Sequence, residues 1–159
     1  FHKISPAQWQ QTLEVNLNGV FHCIQGVLPD LQEKRWGRII NIASTASLKG
    51  YAYVGAYCAA KHAVLGLTRS LALEVANQGI TVNALCPGYT DTEIIQSAVS
   101  TIAEKTGRSH AEALAHFTDV SPLGRLVKPE EVAASVIWLA SDSAASINGQ
   151  AIAIDGGET

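Results

Sequence analysis

RIINIASTASLKGYAYVGAYCAAKHAVLGLTRSLALEVANQGITVNALCPG, residues 38–88, carries the reading of the fold. Residues 38–43 form a near-continuous apolar run, the pattern of a buried strand in a parallel sheet covered on both faces. A loop holding Gly50 and Gly55 follows. A long helix then runs from about Tyr57 to Asn77, with Ala60, Val64, Leu67, Leu71 and Val75 along one stripe. Gly79 closes it. Ile80–Cys86 reads as a second buried strand, stopped by Pro87 and Gly88.

Working outward, Ser5-Pro6-Ala7-Gln8 is a helix start, with Ser as N-cap, Pro in the first turn and Gln closing a capping box. Trp9, Leu13, Leu17, Val20, Ile24, Leu28 and Leu31 recur behind it at helical spacing. Pro29 is expected to kink or divide that helix, and Trp36-Gly37 to end it with glycine in the left-handed cap. Residues 92–105 and 109–118 read as short helices parted by Gly107. Pro129-Glu130-Glu131 opens another helix, and residues 150–154 read as a third strand before a turn fixed by Asp155. Strands alternating with helices make this an α/β chain with parallel βαβ units.

In such sheets ligands lie outside the carboxyl ends of the strands. Ser44 follows the first strand. Pro87, Gly88, Thr90 and Thr92 follow the second. Tyr57 and Lys61 are four residues apart, so they project from one face of the intervening helix. An ammonium beside a phenol favours phenolate and suits the pair to proton transfer. All these candidates fall on one rim of the sheet.

Composition narrows the classes. A net charge of −3 gives no basic field for nucleic acid or anionic lipid. No apolar run approaches the ~20 residues of a membrane span. Cys23, Cys58 and Cys86 are odd in number and far apart, which suits a reducing, cytoplasmic compartment. No Cys/His cluster has ligand spacing, so no metal site is expected.

With these residues in place, the chain resembles the short-chain dehydrogenase/reductase family over essentially its whole length. Asn16, in Glu14-Val15-Asn16-Leu17-Asn18-Gly19, matches that family's helix asparagine. Ser44, the Tyr57-to-Lys61 step and the Pro87–Thr92 loop match its catalytic serine, its signature and its nicotinamide-side loop. The resemblance implies an NAD- or NADP-dependent oxidoreductase transferring a hydride between cofactor and a carbonyl or secondary alcohol. It implies catalytic roles for Asn16, Ser44, Tyr57 and Lys61. Tyr57 is general acid or base. Lys61 lowers the Tyr57 pKa and holds the nicotinamide ribose. Ser44 bonds the substrate oxygen, and Asn16 holds a relay water. Cofactor contacts are implied for Tyr57, Lys61, Pro87, Gly88, Thr90 and Thr92, and the assembly would be a homodimer or homotetramer.

The family's opening T-G-x-x-x-G-x-G turn, which holds the cofactor pyrophosphate, has no counterpart among these residues. The chain begins at Phe1 and contains no Met. Residues 1–159 are therefore read as the C-terminal part of a single doubly wound Rossmann-type domain, three strands with flanking helices, without the dinucleotide-phosphate-binding half. A truncated, non-catalytic, self-associating fragment is the alternative. Residues 45–55 and 90–120 are expected to set substrate choice. Lys49 is the one cation of the first loop, with no convergent cationic clamp, which favours a 3-oxoacyl thioester or neutral ketone. A hydroxybutyrate-type dehydrogenase is the runner-up.

Overall fold

The computed structural model describes residues 1–159. Helix α1 (Pro6–Leu13) starts at the predicted capping box: Gln8 N donates to Ser5 Oγ at 3.2 Å and Ser5 N to Gln8 Oε1 at 2.9 Å. A wide π-helical turn (Glu14–Asn18) joins it to α2 (Gly19–Lys34), with Gly19 N–H reaching back five residues to Glu14 O. The irregularity thus lies at Asn16, not at Pro29, which sits inside α2. Pro29 withholds a donor from the carbonyl of Gln25, an exposed position open to solvent. Helix α2 ends on Arg35 in the left-handed region (φ 50°), not on Gly37. Arg35 is held there by its guanidinium, which donates to Asn77 O at 3.0 Å. Gly37 is needed for another reason: a Cβ there would come within 3.0 Å of Leu31.

Strand β1 (Gly37–Ile42) leads to α3 (Gly55–Val75) and β2 (Ile80–Pro87). Helices α4 (Glu93–Thr106), α5 (His110–Thr118) and α6 (Pro129–Ala140) precede β3 (Ala151–Ile154). The sheet has the order β1-β2-β3, all parallel, with Asn41 opposite Ala84 and Pro87 opposite Ile154. Ile39, Ile80, Val82, Ala84 and Cys86 face α2 and α3, while Ile40, Leu85, Ile152 and Ile154 face α6. Only β2 is buried along nearly its full length. In β1 burial alternates, and Ile42 is exposed, because β1 pairs on one side only. The expectation of strands covered on both faces holds for both: β1 lies between α2 and α6, and its unpaired edge only makes it less buried than β2.

Two buried asparagines are satisfied across layers, while Arg38 Nε and Ser47 Oγ are buried without a partner. Asn41 Nδ2 donates to Thr68 Oγ1 at 2.9 Å, joining β1 to α3. Asn83 Nδ2 donates to Ile147 O at 2.8 Å, and Gln150 N donates back to Asn83 Oδ1 at 3.0 Å, which fixes the entry to β3. No helix is long and apolar enough to cross a membrane.

Candidate active site

A parallel sheet brings its three carboxyl ends to one rim, and there a cavity of about 500 Å³ opens. Its lining contains Ser44, Tyr57, Lys61, Pro87, Gly88, Thr90 and Thr92, together with Thr45, Tyr51, Tyr89 and an apolar wall of Ala46, Val54, Ile94 and Ile95. Lys61 is the only charged residue among them. Asn16 is not in the lining. Its amide donates back to Thr12 O in α1 at 3.1 Å, and no hydrogen bond joins it to Lys61. Thr12 borders a second cavity, about 620 Å³, which shares Val54 and Tyr57 with the first.

Each side chain is positioned by a local feature. The β1–β2 ladder continues past β1, with Ala43 N donating to Leu85 O at 2.7 Å, so Ser44 leaves the sheet edge in extended conformation. Ser44 then caps a short 3₁₀ turn, its Oγ accepting from Ala46 N at 3.1 Å. That bond occupies a lone pair and leaves the Ser44 O–H free to donate into the cavity. Tyr57 and Lys61 lie in the first two turns of α3, with Lys61 Nζ 5.6 Å from the Tyr57 ring centroid. Lys61 Nζ also donates to Ile42 O at 3.1 Å. An ammonium has three donors, so two remain. Burial holds the Lys61 ammonium below the usual lysine range.

The loop after β2 is braced from outside. Gly88 N donates to Ile154 O at 3.1 Å, Asp91 N to Val127 O at 2.8 Å, and Val127 N to Tyr89 O at 2.8 Å. A Cβ on Gly88 would come to 3.1 Å from Asp155 Cβ and from Glu158 Oε2. Its glycine therefore serves the close approach of residues 155–158. The Thr90 hydroxyl donates to Gly88 O at 3.0 Å. Thr92 stands at the N-cap position of α4 without a side-chain capping bond, which leaves its hydroxyl available.

Sequence reasoning missed a polar cluster behind this wall. Glu158 accepts from Tyr51 Oη and, at 3.0 Å, from Lys49 Nζ, and its side chain is only 1% exposed. Tyr51 Oη also lies 2.7 Å from Thr45 Oγ1. A phenol has one proton and a carboxylate can only accept, so Tyr51 donates to Glu158 and Thr45 donates to Tyr51. Burial, then the Glu158 bond, raises the Tyr51 pKa well above the usual phenol range. Two of the three phenols lining the cavity thus differ: Tyr51 is pinned to a carboxylate, Tyr57 stands near an ammonium. Tyr89 packs edge-on against Tyr51 and against Phe117 of α5, with centroid distances of 6.3 and 5.0 Å. Asp155 accepts from Gly157 N and Thr159 N, both at 2.9 Å, and fixes the turn that presents Glu158.

Comparison with known proteins finds relatives over nearly the whole chain. A family model described as enoyl-(acyl carrier protein) reductase matches residues 1–159. D-beta-hydroxybutyrate dehydrogenase of Rhizobium meliloti (strain 1021) is 40% identical over 153 residues, 96% of this chain and 59% of its own. Acetoacetyl-CoA reductase of the same organism is 40% identical over 158 residues, 99% of this chain and 61% of its own. The crystal structure of an actinorhodin polyketide ketoreductase variant with NADPH superposes with a TM-score of 0.92 at 38% identity, covering 99% of this chain and 61% of that one. The chain thus spans about three-fifths of the length of the relatives it matches. A parallel sheet with a serine, a Tyr–Lys helix step and a glycine loop on one rim, matched end to end by the family model, makes this chain a member of the short-chain dehydrogenase/reductase family.

Proposed function

We propose that the cavity reduces a carbonyl, or oxidises the corresponding secondary alcohol, with NAD or NADP, in the whole protein to which these residues belong. The observation that carries this reading is the gathering of Ser44, Tyr57 and Lys61 on one cavity that also has an apolar wall of Ala46, Val54, Ile94 and Ile95. The residues present fit the nicotinamide end of such a cofactor. Lys61 keeps two donors for ribose hydroxyls, and the free Thr92 hydroxyl and the backbone of the 87–92 loop suit a carboxamide. When bound, the nicotinamide supplies or accepts the hydride.

The chain's own residues handle the proton. Ser44 O–H donates to the substrate oxygen and holds it as negative charge develops there. Tyr57 O–H gives its proton to that oxygen in reduction and takes it back in oxidation. Lys61 sets its positive charge 5.6 Å from the centre of the Tyr57 ring. Tyr51 is unsuited to this role because its proton is bound to Glu158. Asn16 contributes, on this reading, by shaping the α1–α2 junction against which α3 packs.

Substrate class follows from the lining. Lys61 is its one cation and is already bonded to Ile42 O, so no cationic clamp awaits a free carboxylate. A 3-oxoacyl thioester or a neutral ketone suits the apolar wall. The acetoacetyl thioester named for one relative supports this choice, and the hydroxybutyrate named for the other keeps the free acid as the competing substrate. In the full-length protein, Tyr57→Phe is expected to lower kcat for a 3-oxoacyl thioester at least about a hundredfold with little change in nicotinamide binding. Undiminished turnover in that variant would remove Tyr57 from the chemistry.

A further inference from the structure

We propose that Glu158 is a positioning and specificity residue, which neutralises Lys49 and pins Tyr51 so that the cavity wall beside Ser44 presents a neutral aromatic face and disfavours anionic substrates. The inference rests on the carbonyl-reductase reading of the same cavity. Lys49 lies just behind the lining, its Nζ 5.2 Å from the centroid of Tyr51, which does line the cavity. The Lys49 side chain is 38% exposed, so it has room to swing. What keeps it back is Glu158: its ammonium sits 3.0 Å from Glu158 Oε1 and 3.3 Å from Glu158 O. The carboxylate is almost completely buried, and a pairing taken out of water is screened far less than a surface ion pair. The same oxygen holds Tyr51, and Tyr51 holds Thr45, the neighbour of Ser44. One carboxylate thus fixes both the charge and the shape of the loop that carries the serine.

Removing the charge while keeping the shape tests this. In the full-length protein, Glu158→Gln is expected to raise kcat/KM for a free 3-oxo acid about tenfold, mainly through KM, because the freed Lys49 meets the carboxylate. The neutral ester of the same acid is expected to fall about threefold. Adding Lys49→Gln should abolish the gain. An unchanged acid-to-ester ratio, or a gain that persists without Lys49, overturns the proposal. Hydrogen exchange of residues 45–54 gives a readout independent of turnover, and Tyr51→Phe a second variant that removes the Glu158 bond without touching the ion pair. Both variants should speed exchange in that loop, and unchanged protection in both overturns the latch. Should the wild type turn over neither substrate, the carbonyl-reductase reading fails and the specificity claim with it, while the exchange result still decides whether Glu158 holds the loop.

Discussion

Lys61 occupies an unusual position for a lysine, partly withdrawn from water, with one donor committed to a backbone carbonyl and the phenol of Tyr57 nearby. Burial depresses its pKa in the folded state. Two consequences differ in sign. If the ammonium is needed for turnover, the alkaline limb of the kcat/KM profile should begin below the ordinary lysine range, and Lys61→Met should remove that limb along with most of the activity. Stability moves the other way. Between the depressed and the ordinary pKa the unfolded chain binds more protons than the folded one, so stability rises with pH through that window. Lys61→Met should flatten that rise in denaturant titrations taken across alkaline pH. An identical pH dependence in both proteins would show that the depression is absent.

Elements meet at tight crossings where single atoms decide. Gly79 ends the α3 region with φ 75°, and a Cβ there would fall 2.4 Å from Arg35 O, the left-handed residue that ends α2. Gly79→Ala is therefore expected to destabilise by about 1–3 kcal/mol from backbone strain, with the collision added. Chemical denaturation measures it, and a loss below half a unit would mean that the two turns separate easily. At α6, Glu131 accepts from both terminal guanidinium nitrogens of Arg125, at 2.7 and 2.8 Å, and from Lys128 N at 2.8 Å. The Arg125 bond chiefly, then Lys128 N, lowers its carboxyl to about 2. A depressed folded-state carboxyl stabilises above its ordinary pKa, and that stabilisation is lost as pH falls through the folded value. A carboxyl NMR titration should place the Glu131 midpoint near 2, and Arg125→Ala should move it upward. These helices and strands are legible in the sequence because their signals are local: the Ser5–Gln8 box, the stripe of α3, the proline opening α6. The capping of α2 by Arg35 is illegible, since what holds Arg35 is the carbonyl of Asn77, 42 residues away.

On the scale of the molecule, the rim bearing Ser44, Tyr57, Lys61 and the 87–92 loop follows from parallel topology, and topology follows from the order of strands and helices. That much of the site is readable beforehand. The Glu158 latch is not, because its partners lie 107 and 109 residues away and nothing in the period or spacing of either segment refers to the other. The sheet also leaves β1 paired on one side, and Phe21, Val27, Ile137 and Trp138 stand exposed on the helices. Residues 1–159 produced by themselves are therefore expected to self-associate, with a light-scattering mass that grows with concentration. A monodisperse monomer of 16.8 kDa across that range would contradict this. One further property follows from the lining. Three of the four tyrosines (Tyr51, Tyr57 and Tyr89) border the first cavity and none of the three tryptophans does. Filling of that cavity should thus shift the phenol bands of the ultraviolet difference spectrum while the indole bands stay still, so the protein carries its own optical reporter of occupancy.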